Sequence, residues 1–179
     1  MARMCAQVGQ QKWGVNYWET HVPIVNWDSV RLLLALCHIH GLDSKSIEIF
    51  QLFIQAALKT PAHIEILYGF EKFYDGNLCV LRLRRSTYGL KQSNYNFDQK
   101  LCKSLKERNL QLFLSDNYVF VSKRLIILVY LDDALLFSKN KFWVDVFIKS
   151  LYDSRAGLEL TYEGSADKYL GIDTKSAKL

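Results

Sequence analysis

The stretch VYLDDALLF, from Val129 to Phe137, places two adjacent aspartates, Asp132 and Asp133, inside an otherwise apolar run. Apolar residues continue on both sides, in LIILVYLDDALLFS, and this pattern predicts two strands joined as a hairpin whose tip is LDDA. A carboxylate in such surroundings is costly to bury without a partner. The stretch therefore predicts a β-hairpin and raises the question of what its two acids hold.

The residues alone leave two interpretations of the pair open. Aspartate is common in turns because its carboxylate accepts hydrogen bonds from nearby backbone, so Asp132 and Asp133 could simply shape the hairpin. Alternatively, the pair and a third acid from another strand hold two divalent cations in a phosphoryl-transfer site. Carboxylates suit magnesium, a hard ion that takes oxygen ligands. Glu48, in a predicted neighbouring strand, is the third acid of that hypothesis.

The segments around the hairpin predict alternating helices and strands. Asp28 is predicted to cap a helix through SVRLLLALCHIH, which Gly41 ends in the left-handed conformation and which lies against a sheet. The segment SIEIFQLFI predicts a strand that continues into a turn or helix. Further strands are predicted in CVLRLRRS, NYVFVSK, LELTY and KYLGIDT, and further helices in NYNFDQKLCKSLKERN and KFWVDVFIKSLYDS. The predicted fold class is α+β, with a mostly antiparallel sheet covered by helices on one face.

Composition sets limits on the type of protein. The chain has 179 residues, half of them hydrophobic, which is enough for one domain with an ordinary core. The net charge of +5 favours a polyanionic partner without identifying it. The four cysteines have no CxxC pair, which suits a reducing compartment. Since no signal peptide or membrane-spanning run is recognisable, we expect a soluble protein that is cytoplasmic or nuclear and not secreted.

Four blocks of the sequence resemble the reverse transcriptase of copia-type retrotransposons. These blocks are KWGVNYWETHVPIVNWDSVRLLLAL at 12–36, STYGLKQ at 86–92, YLDD at 130–133 and KYLGI at 168–172. Their order and spacing match the family from about Ala2 to Asp173. The resemblance implies a polymerase palm-fingers fold in a single partial domain over residues 1–179. It also implies a polyprotein fragment without thumb, ribonuclease H, integrase or protease.

The resemblance also implies a chemistry. Asp132 and Asp133 match the family's metal-binding pair, for which Mg²⁺ is expected, with Mn²⁺ as an alternative ion. A primer 3′-hydroxyl would attack the α-phosphate of a deoxynucleoside triphosphate, one metal activating the attacking oxygen and the other stabilising the leaving pyrophosphate. The implied partners are an RNA or DNA template-primer, dNTPs and other domains of a retrotransposon polyprotein, with no membrane.

Further positions match family residues that contact the nucleotide. Phe53 stands five residues after Glu48, where the family has an aromatic that packs under the sugar and rejects a 2′-hydroxyl; a core phenylalanine is the alternative. Tyr88 and Gly89 match the segment along the nascent base pair. Arg3 matches a basic residue of the fingers near the triphosphate, with a solvated surface arginine as the alternative.

A second group of positions matches nucleic-acid contacts. Lys91 belongs to the segment that lies along the template, and Gly171 to the turn that supports the primer strand. Arg82, Arg84 and Arg85 are candidates for contact with the nucleic-acid backbone, with a solvated strand face as the alternative.

The chain departs from the family at the first catalytic acid. Glu48 stands where the family has aspartate, and Phe50 where it has lysine. An extra methylene displaces the carboxylate by on the order of 1 Å, and such a displacement can cost about 100-fold in rate. Three hypotheses follow: a polymerase domain with reduced activity, a catalytically dead relic that binds nucleic acid weakly, and an unrelated α+β interaction domain whose acids are turn residues.

Overall fold

The hairpin around the two aspartates forms, with β6 at Ile126–Tyr130 and β7 at Asp133–Ser138. It belongs to a computed structural model that describes residues 4–75, 79–153, 157–165, 168–169 and 172–173. The chain divides into two compact units. The N-terminal unit contains the residues up to Val22 and Gln51–Lys100, and the sheet unit contains Pro23–Phe50 and the residues from Leu101 onward.

The sheet unit is built on one six-stranded sheet in the order β4-β5-β6-β7-β1-β8, with all neighbours antiparallel. The central strand β7 is apolar without alternation, and its residues from Ala134 to Ser138 are all buried. Continuous burial is expected of a strand that is covered on both faces. The other strands are β1 at Asp43–Ile49, β4 at Gln111–Phe113, β5 at Asp116–Val121 and β8 at Leu160–Ser165.

The first helix of the sheet unit, α1 at Trp27–Ile39, begins earlier than predicted. Asn26, not Asp28, is the N-cap: its side-chain oxygen accepts a hydrogen bond from the backbone N–H of Asp28 at 3.0 Å. The predicted Asp28 cap is therefore wrong, because an equally good capping residue lies two positions upstream. The predicted end is confirmed, since Gly41 adopts φ +57° after the last helical turn.

Helix α1 lies beside β6. The ring of Trp27 is 6.4 Å from the ring of Tyr130, and Val30 is fully buried. Leu32 and Ile39 are nevertheless 59% and 71% exposed. The helix therefore lies against the sheet as predicted, but only along a narrow stripe.

Helix α4, at Lys141–Asp153, packs against β7 and β1. An ion pair joins the two layers: the ammonium group of Lys45 on β1 donates a hydrogen bond to Asp145 on α4. Lys45 is only 8% exposed, and the ion pair with Asp145 offsets part of the cost of burying its charge. Beyond β8, two short antiparallel strands, β9 at Lys168–Tyr169 and β10 at Ile172–Asp173, form where KYLGIDT predicted a strand.

The N-terminal unit contains an antiparallel pair, β2 at Ala57–Ile64 and β3 at Leu81–Arg85. A single helical turn, α2 at Leu52–Gln55, precedes it, and α3 at Ser93–Lys106 begins in this unit. A short 3₁₀ turn forms at Val8–Gln10. Strand β2 was not predicted, because its sequence ALKTPAHI contains a proline and no clear alternation.

The α+β class with a mostly antiparallel sheet is confirmed. Among the helices that the structure describes, none is long and apolar enough to cross a bilayer. The four cysteines, Cys5, Cys37, Cys79 and Cys102, are all free thiols.

Candidate active site

Glu48 and Asp133 face each other across two neighbouring strands. They are Cα partners in the antiparallel register of β1 and β7, so their side chains leave the sheet on the same face. Both residues are half-buried. Across the sheet, Asp133 also pairs with Tyr130 on β6, and Glu48 also pairs with Thr161 on β8. The structure thus brings together two of the three predicted acids, although 84 positions separate them in the sequence and only the fold makes them neighbours.

The third acid, Asp132, lies in the turn itself and is also half-buried. Its backbone carbonyl accepts a hydrogen bond from the N–H of Ile49 at 2.7 Å, which ties the turn to the end of β1. The turn residue before it, Leu131, adopts φ +55°. A leucine in the left-handed region costs roughly 1–2 kcal/mol, so the surrounding strands must impose this conformation.

The turn interpretation accounts poorly for the aspartate pair. The left-handed position that favours aspartate or asparagine is occupied by Leu131 instead. Asp133 is not a turn residue, because it begins β7 and pairs with both Tyr130 and Glu48. Carboxylates directly opposite each other on neighbouring strands repel, and a divalent cation bound between them would offset that repulsion.

The two faces of β1 carry different chemistry. Lys45, Ile47 and Ile49 alternate with Glu48, and Lys45 pairs with Asp145 on α4. Glu48 and Asp133 therefore lie on the face of the sheet that α4 does not cover. The hydrogen bond from Lys45 is the main cause that lowers the pKa of Asp145 below its usual range. This ion pair fixes the strand that carries Glu48.

The three acids meet one requirement of a magnesium site, which is the supply of carboxylate oxygen ligands. Among the residues that the structure describes, no group of three or more His, Cys, Asp or Glu side chains is arranged so that it could hold a metal ion. Magnesium, however, is commonly held by one or two carboxylates and completes its shell with waters and substrate phosphates. The cross-strand pair of Glu48 and Asp133, with Asp132 beside it, supplies that minimal oxygen donor set.

Phe53 and Tyr88, two of the predicted nucleotide-binding residues, contact each other in the N-terminal unit. Their rings lie edge to face with centroids 4.9 Å apart, and both residues are half-buried. Phe53 lies on α2, whose last carbonyls accept hydrogen bonds from the Arg85 guanidinium and the Lys100 ammonium group. Cations at a helix C-terminus stabilise the turn and so fix the position of Phe53.

Gly89 has a structural reason to be glycine. Its φ is +87°, and a Cβ atom built there would lie 2.1 Å from the carbonyl oxygen of Ala6. The N–H of Ala6 donates to the Tyr88 carbonyl at 2.7 Å, which holds the two segments together. The family resemblance implies close approach of a ligand at Gly89; in this structure the group that approaches is the backbone of Ala6.

The predicted nucleic-acid contacts differ in their surroundings. Lys91 donates a hydrogen bond to the hydroxyl of Tyr17 at 3.1 Å, and its backbone N–H donates to Gln11. Arg82 and Arg84 are exposed on β3, as the alternation predicted. The Arg85 side chain is also exposed but donates to the Ile54 carbonyl at 3.2 Å. Of the three arginines on β3, Arg82 and Arg84 therefore point outward, whereas Arg85 stabilises α2.

Two predicted site residues, Arg3 and Gly171, lie outside the described residues. Conversely, the structure adds Leu131 and Thr161 to the neighbourhood of the acids. No sequence signal marks Leu131, because a leucine does not predict a left-handed turn position. Thr161 could have been found only by knowing that β8 pairs with β1.

Comparisons with known proteins agree with this architecture. The family described as "Reverse transcriptase (RNA-dependent DNA polymerase)" matches residues 1–178. The chain is 26% identical over 176 residues to the "Retrovirus-related Pol polyprotein from transposon TNT 1-94" of Nicotiana tabacum, a match that covers 96% of this chain and 13% of that protein.

Two Arabidopsis thaliana proteins are also similar. The "Retrovirus-related Pol polyprotein from transposon RE2" is 29% identical over 140 residues, covering 75% of this chain and 10% of that protein. The corresponding polyprotein from transposon RE1 is 28% identical over 140 residues, covering 75% of this chain and 9% of that protein. This chain thus spans about a tenth of the length of these relatives. Because the family match extends over almost the whole sequence, the chain belongs to the reverse transcriptase (RNA-dependent DNA polymerase) family.

Proposed function

We propose that this chain is the palm and fingers part of a copia-type RNA-directed DNA polymerase, in which Glu48, Asp132 and Asp133 are the catalytic carboxylates. The observation that carries the proposal is the register of β1 and β7, which sets Glu48 directly opposite Asp133 beside the turn residue Asp132. The sheet unit would then be the palm. The N-terminal unit would supply the fingers.

The carboxylates bind the divalent ions, Mg²⁺ or alternatively Mn²⁺, which when bound neutralise phosphate charge during nucleotidyl transfer. Glu48 and Asp133 lie on interior strands, so their backbones are held on both sides. The hydrogen bond from Ile49 to the Asp132 carbonyl fixes the turn in the same way. Half-burial leaves the carboxylates accessible to substrate while it limits their motion.

The N-terminal unit binds the nucleotide and the template-primer in this proposal. Phe53 packs under the sugar of the incoming dNTP, and its partly exposed ring, held against Tyr88, supports that role. The exposed side chains of Arg82 and Arg84 suit contacts with the phosphate backbone. The remaining roles, those of Gly89, Lys91, Arg3, Gly171 and Arg85, rest on the family resemblance. The relatives' description as Pol polyproteins supports further polyprotein domains as partners.

Primer extension on an RNA template tests the proposal. The purified chain is assayed in Mg²⁺ and then in Mn²⁺, alongside Asp133→Asn and the control Asp28→Asn, which neutralises an exposed acid on α1. We expect slow extension that Asp133→Asn abolishes and Asp28→Asn leaves unchanged. Extension by Asp133→Asn at the wild-type rate would refute the assignment.

One observation favours a second candidate function. The replacement of the family's first aspartate by Glu48 is expected of a chain that binds template-primer without catalysing extension. This relic would shift a primer-template duplex in a salt-dependent manner and extend no primer in either metal. Extension that depends on Asp133 would exclude it.

A further inference from the structure

A groove lies at the end of the β6–β7 hairpin that is remote from Leu131. It encloses about 460 Å³ between the end of α1, the β5–β6 turn and the β7–α4 turn, all within the sheet unit. This volume is typical of ligand clefts. The groove begins at Ile126, so strand length alone separates it from the aspartates by roughly 15 Å. Its apolar lining comprises Leu36, Leu42, Leu125, Ile126, Phe137 and Trp143.

The rim of the groove is basic. Lys123, Arg124 and Lys139 line it and are exposed, and His40 lies at the end of α1. None of the described residues that line the groove is acidic. The neighbouring acid Asp43 is engaged elsewhere, since it accepts a hydrogen bond from the first backbone N–H of α4 at 2.8 Å. A ligand therefore meets an apolar floor with positive charge at its edge.

The walls of the groove are held by hydrogen bonds. In the β5–β6 turn, the hydroxyl of Ser122 accepts from the backbone N–H of Leu125 at 3.1 Å. The hydroxyl of Ser138 donates to the Arg124 carbonyl at 2.8 Å, which joins this turn to the end of β7. A preformed groove loses little conformational entropy when a ligand binds.

The Trp143 ring of the groove is poorly placed to stack on a nucleic-acid base. The guanidinium of Arg124 lies 3.7 Å from the centre of the Trp143 ring and covers one face of it. A base that stacked on that face would have to displace the cation. Nucleic-acid phosphates could pair with the basic rim, but they would leave the apolar floor of the groove without a contact. An apolar side chain flanked by carboxylates matches both the floor and the rim.

We propose that this groove is a docking site for a short acidic segment of a partner protein. An aliphatic or aromatic side chain of that segment fills the floor, and its carboxylates pair with Lys123 and Lys139. The basic rim and the apolar floor of the groove together favour this occupant. Neither feature depends on the polymerase chemistry.

Selection of short random peptides on the full chain tests the proposal. The selected peptides are labelled, and their binding is measured by fluorescence polarisation to the wild type, to Lys123→Glu/Lys139→Glu and to Leu36→Gln. The matched control is Lys106→Glu/Lys149→Glu, which makes the same charge change at exposed residues that do not line the groove. Thermal unfolding of each variant verifies that it is folded.

We expect selected peptides that combine acids with an apolar anchor. Their affinity should fall at least about tenfold in Lys123→Glu/Lys139→Glu, fall in Leu36→Gln, and stay unchanged in the control. The proposal is overturned if no peptide is enriched, or if affinity is equal in the groove and control variants. Displacement of the peptide by an equimolar single-stranded oligonucleotide would instead identify a nucleic-acid surface. Loss of self-association in the groove variant would identify a second copy of the chain as the occupant.

Discussion

Glu48 and Asp133 occupy directly paired positions on β1 and β7, with both side chains half-buried on the same face of the sheet. Two carboxylates in this relation repel each other unless a cation or a proton lies with them. Two partly accessible carboxylates on one face of the sheet are the type of ligand that a divalent ion such as Mg²⁺ takes. If Glu48 stands in place of a family aspartate, as the resemblance implies, the effect of its longer side chain falls on this one pair of residues.

The first prediction concerns stability with and without metal. Asp133→Asn should raise the free energy of unfolding in metal-free buffer by about 0.2–1 kcal/mol, because it removes one of two facing charges. Adding Mg²⁺ or Mn²⁺ should then stabilise the wild type and Asp28→Asn, but not Asp133→Asn, since only a folded site binds the ion. Denaturant titration at several metal concentrations measures both effects. An equal metal response in all three proteins would contradict the site.

The second prediction concerns the strained turn at Leu131. Leu131→Asn and Leu131→Ala both remove the apolar side chain, but asparagine tolerates the left-handed conformation better than alanine. The asparagine variant should therefore be more stable than the alanine variant by roughly 0.5–1 kcal/mol in urea unfolding. The same two substitutions at the fully exposed Leu114 serve as the control and should differ less. The reverse order at Leu131 would argue against strain in this turn.

The third prediction separates two reasons for glycine. Gly89→Ala should destabilise the chain by at least about 2 kcal/mol, because the new methyl group would collide with the Ala6 backbone and the left-handed φ would be strained. Gly14→Ala carries only the second penalty, since its φ is +76° and the space around it is open. Urea unfolding of both variants should show the larger loss at Gly89. Equal losses would exclude the contact with Ala6 as the cause.

The fourth prediction concerns pH. The hydrogen bond from Lys45 lowers the pKa of Asp145, so the stability that this carboxylate contributes is present above its ordinary pKa of 3.8 and is lost as the pH falls below that value. Asp145→Asn should cost roughly 1 kcal/mol near neutral pH, because it removes a charged partner of the buried Lys45 while the Asp145 side chain is itself 42% exposed.

The same measurement in acid completes the test. The difference in unfolding free energy between the wild type and Asp145→Asn should shrink as the pH falls below 3.8, because Asp145 then binds a proton more readily in the unfolded chain than in the folded one. Asp28→Asn, which breaks an exposed pair with Arg31, should have little effect at any pH. A difference that stays constant in acid would show that the ion pair does not contribute as described.

The hairpin and the helices could be predicted from the sequence, because they depend on local patterns. The assignment of the three acids rests on resemblance and stays a prediction. The register that pairs Glu48 with Asp133 could not be predicted, because β1 and β7 are far apart in the chain. A shift of one residue in that register would turn Glu48 to the other face of the sheet. The contact between Gly89 and Ala6 is likewise non-local. The helix cap at Asn26 was missed because two good capping residues lie close together, and sequence does not choose between them.

The most direct test of the central claim is single-turnover primer extension in Mg²⁺ by the wild type and Glu48→Asp, with Asp28→Asn as the control. By the family resemblance, shortening the side chain that faces Asp133 would restore the carboxylate position expected of an active polymerase. The account predicts that Glu48→Asp extends faster than the wild type, by up to about 100-fold, and that Asp133→Asn abolishes the gain. An unchanged or lower rate in Glu48→Asp, or a gain that survives Asp133→Asn, would contradict it.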